Sequence, residues 1–317
     1  MEYQKLGQTN LCISRIGFGG APIGGADYGK VNDQQSILAV KTAYKLGINF
    51  YDTADIYGFG HSEKILAKGF SLKERKNIVM ATKFGVRWDC KKNKSYRDLS
   101  RRYILEAVKK SLFNLKINTI PLYQIHYPDP KTPISETMKT LKELQKNGKI
   151  NFIGCSNFTA DLIKEYQKYG RIESAQMSYN ILDQGAEKNL FPICKKLKMS
   201  IIIYSPLAQG LLSGKYGENT KFSNNDRRNR GIYFTKESLK RVIPIIAELK
   251  KLGRRYRKTP AQVAIRWILD HPQITCVLVG IKNPKQAKEA LGALGWRLTL
   301  EERKKLTKMG KKIIFKD

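Results

Sequence analysis

Eight short runs rich in β-branched and aromatic residues recur along the chain, bounded by Gly, Asn or Pro. They are RIGFG (15–19), NFYDT (49–53), IVMAT (78–82), LYQIH (122–126), NFIGC (151–155), SAQMS (174–178), SIIIY (200–204) and TCVLVG (275–280). Helical patterns fill most of the gaps. Asp33 to Leu46 carries Ile37, Val40, Ala43 and Tyr44 on one face, with Asn32 or Asp33 as cap and Gly47 as stop. Thr159 and Thr259 read as caps of later helices, with Pro260 at a first helical position and Pro272 as a terminator. Strands that alternate with helices pair in parallel, because parallel neighbours need a crossover. An open doubly wound sheet and a (β/α)8 barrel both accommodate eight such units. GFGGAP begins like a dinucleotide fingerprint, but Pro22 takes the place of its third glycine and no helix starts there. The expected class is therefore α/β, a single (β/α)8 TIM barrel over residues 1–317. YQKL and LCIS around GQTN predict an N-terminal β-hairpin, and Ser205 to Tyr233 reads as a long loop after the seventh strand.

Composition removes several classes. The 317 residues are 41% hydrophobic and 27% charged, as in folded soluble chains. No apolar run nears the roughly 18 residues of a membrane span. The opening MEYQKLGQTN has no apolar core of a secretory signal, so none is expected. The five cysteines have no C-x-x-C spacing, and several sit in apolar stretches, which points to a reducing, cytoplasmic setting. No metal-ligand spacing is present. Lys plus Arg is 59 and Asp plus Glu is 27, a net +32. Such a charge can draw nucleic acid or anionic membrane. The basic clusters (Arg227, Arg228 and Arg230; Arg254 to Lys258; Lys304 to Lys312) do not form one block, and no nucleic-acid motif accompanies them. Charge spread over solvated helix faces is the favoured reading, with a small molecule rather than a polymer or membrane as partner and a monomer as the default.

In a barrel of this kind, reactive groups gather at the C-terminal ends of the strands. Asp52, Lys83 and His126 stand at the predicted ends of strands two, three and four, and Tyr57 follows in the loop after strand two. Each has a structural reading of its own: a turn-forming Asp, a packing Tyr, a snorkelling Lys, a satisfied His. Their joint occurrence at consecutive strand ends is the informative feature. His61 could cap the next helix, and His271 reads as a helix-end partner.

NFYDTADIYGFGHSE, VMATKFG, YQIHYPDP, IGCSNF, SAQMSYNILDQ, YSPLAQGLLSGKY and VGIKNPKQAKEAL, taken in order, resemble the aldo-keto reductase superfamily over nearly the whole chain. The resemblance is to bacterial members and the potassium-channel β-subunit relatives rather than the aldose reductase branch. It implies a (β/α)8 barrel, reduction of aldehydes or ketones with NADPH (or the reverse oxidation), and a catalytic tetrad of Asp52, Tyr57, Lys83 and His126. A free phenol titrates near about 10. A cation beside Tyr57 favours its phenolate, Asp52 would hold that cation, and neutral His126 would orient the carbonyl. The resemblance further assigns Ser156, Asn157 and Gln176 to the nicotinamide carboxamide and Tyr204 to stacking under the ring. Gly20, Ala21, Ser205, Leu207, Gly210, Gly214 and Lys215 would line the cofactor, and Gly280 and Lys282 before a helix near Pro284 would take the adenosine 2′-phosphate. Gln286 and Glu289 match adenosine contacts, whereas Ala290 departs from the usual Asn. Ile23, Tyr28, Trp88 and Tyr127 are substrate-pocket candidates, with Tyr233 on the long loop. A redox-sensing binding subunit of another protein is the rival class; those channel relatives carry Asn where this chain has His126.

Overall fold

The computed structural model describes residues 1–25, 31–89, 94–217, 219–222 and 226–313. The chain opens with an antiparallel hairpin, β1 (Tyr3–Lys5) and β2 (Cys12–Ser14). Three strands follow, β3 (Ile16–Gly19), β4 (Phe50–Asp52) and β5 (Val79–Phe84). A second hairpin, β6 (Val86–Asp89) and β7 (Lys94–Arg97), leaves the end of β5. The remaining strands are β8 (Ile120–Ile125), β9 (Ile150–Ser156), β10 (Ser174–Ser178), β11 (Ser200–Tyr204) and β12 (Ile274–Gly280). All strands but the two hairpins pair in parallel, and β12 closes on β3 to complete an eight-stranded barrel.

Helices separate the barrel strands. In chain order they are α1 (Asp33–Lys45), α2 (His61–Gly69), the one-turn α3 (Leu72–Arg75), α4 (Arg101–Leu115), α5 (Ile134–Lys146), α6 (Ala160–Gln167), α7 (Ala186–Lys196), α8 (Lys236–Tyr256), α9 (Pro260–Leu269), α10 (Pro284–Leu291) and α11 (Leu300–Lys311). The expected caps hold. Asn32, Thr159 and Thr259 accept hydrogen bonds from the backbone of the first turns of α1, α6 and α9, offsetting donors that a helix start leaves unpaired. The helix α9 already ends at Leu269, before Pro272. The connection after β11 is not wholly irregular: short 3-10 turns span Ala208–Ser213, Arg227–Arg230 and Ile232–Phe234.

Period-two alternation divides the core into two shells. Phe50, Val79, Ala81, Leu122, Ile202 and Leu278 fill the barrel interior, with Leu6 and Ile13 of the first hairpin packed against them. The alternate residues, among them Met80, Phe84, Tyr123, Ile201 and Ile203, face the helical layer. Along β4, β5 and β8 the inward phase begins apolar and ends polar, and on β9, β10 and β11 it also closes on a polar or phenolic side chain. Asp52, Lys83, Gln124, Ser156, Gln176 and Tyr204 therefore share one end of the barrel.

Candidate active site

Register builds the floor of the site. Asp52 lies beside Ala81 on β5, and Lys83 lies beside Gln124 on β8. Each inward side chain thus meets the next around the ring. Lys83 is fully buried, and its Nζ donates to Asp52 Oδ1 at 2.5 Å, Thr53 O at 2.9 Å and Tyr57 Oη at 3.5 Å. An ammonium has three N–H donors, and these three oxygens use all of them. The other oxygen of Asp52, Oδ2, accepts from Gln124 Nε2 (2.9 Å) and Gln176 Nε2 (2.8 Å). A buried charged pair of this kind needs such partners to offset its lost hydration.

The loop after β4 brings Tyr57 back over this floor. Its ring stands edge-on to His126, with centroids 5.7 Å apart, and the Lys83 Nζ lies 5.0 Å from the phenol centroid. His126 immediately follows β8, is buried, and its Nδ1 has no hydrogen-bond partner. Burial, and then the charges of Lys83 and Arg97, hold its imidazole well below the usual histidine range, so it is neutral near pH 7. The four residues expected to meet do so.

A second set joins them from β9 and β11. Asn157 has a positive φ of 61°. Its Nδ2 donates to His126 O (2.9 Å) and Ser156 Oγ (3.2 Å), while its Oδ1 accepts from Tyr204 Oη at 2.7 Å. Burial pushes the Tyr204 phenol up, and Tyr127, Asp183, Tyr57 and Tyr233 add to the effect. Tyr127 stacks on His126 with centroids 5.1 Å apart. The Gln176 amide also reaches the floor. Its Nε2 is engaged inside the barrel, with Asp52 and with Gln124 Oε1 (3.1 Å), and supports the floor of the site.

A third set lies around the start of α10. The amide of Lys282 donates to Gln286 Oε1 (2.7 Å), and Asn283 caps the helix by accepting from Gln286 N (3.0 Å). Burial, then the charge of Arg228, lowers the Lys282 ammonium, while Asp226 raises it. Arg228 itself is held to Asp226 at 2.6 Å and to Tyr216 Oη at 2.6 Å, with its guanidinium 4.1 Å from the Phe222 centroid. Lys215 meets Glu289 at 4.0 Å. Gly280 is required by space: a Cβ there would lie 2.8 Å from Pro22 Cγ. Gly20 donates its N–H to Asp52 O (2.7 Å), which ties the turn holding Ala21 to the floor. Ser205 takes a φ of 52° and Gly210 one of 97°, where the chain folds back past Leu207.

The remaining candidates divide. Ile23 is fully buried in the outer core and offers no surface to a substrate. Trp88 on β6 packs against Phe59 at 5.6 Å. Tyr28 lies outside the described residues. The His61 ring begins α2 and pairs with Asp33 at 2.9 Å, whereas His271 accepts from Gln273 N at its helix end. Among the described residues no group of acids, histidines and cysteines could hold a metal ion, and no helix is long and apolar enough to cross a membrane. Sequence reading missed Gln124, Asp226 and the pairing of Arg228. Gln124 had one signal, a polar residue in the inward phase of an apolar strand.

A buried acid holding an ammonium under a phenol, at the mouth of a parallel barrel, places the molecule among barrel oxidoreductases. The chain belongs to the aldo/keto reductase family, whose model matches residues 15–311. It is similar to the aldo-keto reductase YhdN of Bacillus subtilis (37% identity, covering 96% of this chain and 92% of that one). It is also similar to the NADH-specific methylglyoxal reductase of Escherichia coli (35%, covering 94% and 95%). Among solved structures it resembles the glycerol dehydrogenase of Gluconobacter oxydans, with a TM-score of 0.89, 33% identity and coverage of 97% and 94%. Carbonyl–alcohol oxidoreduction with a nicotinamide cofactor is the activity of this family.

Proposed function

We propose that the protein reduces aldehydes or ketones with NADPH, and that Tyr57 is the proton donor. One observation carries the reading: the buried Lys83 ammonium bonds Asp52 and the Tyr57 hydroxyl at once. When bound, the reduced nicotinamide supplies hydride to the carbonyl carbon. The oxygen then needs a proton, and Tyr57 gives it while Lys83 favours the phenolate left behind; solvent returns the proton. Neutral His126 has an N–H to offer the carbonyl oxygen and orients it beside Tyr57. Asp52 fixes Lys83 and touches no substrate. Ser156, Asn157 and the Tyr204 face would receive the nicotinamide, with Gly20, Ala21, Ser205, Leu207, Gly210 and Lys215 along the cofactor.

The preference for NADPH rests on Lys282 and Arg228, two cations within electrostatic range at the start of α10. A 2′-phosphate would meet both, together with the helix N-terminus. Gln286 and Glu289 would border the adenosine. The fit is to the donor set of this chain, since the E. coli relative is NADH-specific. The test is spectrophotometric: oxidation of NADPH and of NADH over a panel of aldehydes, ketones and aldoses. We expect turnover, with kcat/KM for NADPH at least tenfold above NADH. Cofactor binding without turnover across the panel would instead favour a redox-sensing subunit. In Lys282→Ala the preference should shrink by about 10-fold, the loss of one charged hydrogen bond.

A further inference from the structure

Beside the tetrad lies a cation that the proposed reaction does not use. Arg97, the last residue of β7, is half-buried and opposite Val86 in the hairpin that leaves β5. Its guanidinium carbon lies 3.8 Å from the centroid of Tyr127. Tyr127 in turn stacks on His126 at 5.1 Å. The guanidinium is therefore no farther from the imidazole centroid than these two steps combined, and its charge is felt by His126. Among the described residues no carboxylate pairs with Arg97. The acids nearby are committed elsewhere. Asp98 holds Arg87 at 3.2 Å and the Ser100 hydroxyl, Asp129 accepts from Leu99 N and Thr132, and Asp55 accepts from Tyr103. Arg87, on the same hairpin, is thus neutralised, while Arg97 lies over an aromatic face and its N–H fork meets no acceptor among the described residues.

A guanidinium with no carboxylate partner among the described residues, set on an aromatic ring next to the group that would orient the carbonyl, is a recognition element for a planar or tetrahedral anion. We propose that Arg97 forms an anion subsite and that the substrate is a carbonyl compound carrying a carboxylate or phosphate on a short chain. The inference rests on the reductase reading of the tetrad. The carbonyl oxygen would sit at Tyr57 and His126, and the anionic end would lie across Tyr127 against Arg97. Reaction atoms are those of the reduction above, and the anion takes no part in bond making.

Matched substrate pairs test this. One pair is butanal and succinic semialdehyde, the other glyceraldehyde and glyceraldehyde 3-phosphate. In wild type, kcat/KM should favour the charged member of at least one pair, and which pair does so separates carboxylate from phosphate. In Arg97→Ala the charged-to-neutral ratio should collapse by about 10- to 100-fold, chiefly through KM, the range for a lost charge-assisted hydrogen bond. Arg97→Lys should recover part of it, keeping the charge without the fork. Equal loss for both members in Arg97→Ala would mean a packing role only and overturn the proposal, as would a wild type that does not discriminate. If neither member of any pair is reduced, the reductase reading fails separately. The subsite is then judged by thermal shift with succinate and glycerol 3-phosphate. A shift in wild type that vanishes in Arg97→Ala upholds it, and no shift in wild type overturns it.

Discussion

Lys83 has three hydrogen bonds to give, and Asp52, Thr53 and Tyr57 take them. Removing the charge with Lys83→Met leaves the Asp52 carboxylate buried with only the amides of Gln124 and Gln176. We expect a loss of about 3 kcal/mol of stability, at the low end for breaking a buried pair, measured by urea unfolding, and near-complete loss of turnover. Asp55, three residues beyond Asp52, behaves in the opposite sense. Burial, then the charge of Glu63, raises its carboxyl to about 8, and its Oδ1 has no partner. The unfolded chain would release that proton near about 4. The native state therefore holds an extra proton between those values, and stability declines as pH rises through that window. Asp55→Asn should flatten the decline, seen as urea midpoints at pH 5 and pH 8 that lie closer together than in wild type. At this scale the tetrad was legible because four reactive residue types fell at strand ends. Gln124 and the orientation of Gln176 were not, since a buried glutamine is defined by partners that only the closed ring supplies.

The elements were legible wherever period and caps agreed. SAQMS and SIIIY match β10 and β11 to the residue. The β6–β7 hairpin is hard to read because each strand has only four residues: Val86 and Trp88 alternate with polar neighbours in β6, but the run is too short to stand out, and β7 offers only Tyr96. Helices α7 and α8 contain Pro192 and Pro244 in their interiors, and a proline removes a ladder bond that the sequence pattern would otherwise support. The first hairpin was read correctly, yet its task was hidden: Leu6 and Ile13, both fully buried, join the interior core of the barrel. Ile13→Ala should cost about 2–5 kcal/mol by urea denaturation, as for other large-to-small core changes. Because the site lies at the opposite end of the strands, kcat of the folded fraction should be retained. A parallel loss of kcat would mean that the hairpin shapes the site as well.

Over the whole molecule, charge is the least local property. The net +32 is carried largely on outward helix faces; Lys68, Lys109, Lys146, Lys195 and Lys251 are all exposed on separate helices. Exposed charges act through their summed field, which salt screens within a Debye length of about 10 Å at 0.1 M. Apparent affinity for an anionic cofactor should therefore fall as salt rises from 0.05 to 0.5 M (roughly one decade on this screening argument), while kcat at saturation holds. Barrel closure brings Asp52, Tyr57, Lys83 and His126 together from segments far apart in sequence, and their proposed chemistry turns on one proton. Tyr57→Phe deletes that proton and little else. Purified variant and wild type are compared in NADPH oxidation with the best aldehyde of the panel, and in NADPH binding by fluorescence titration. We expect turnover to fall by about 10²- to 10⁴-fold with binding within a few-fold of wild type. Turnover near the wild-type rate would contradict Tyr57 as the proton donor.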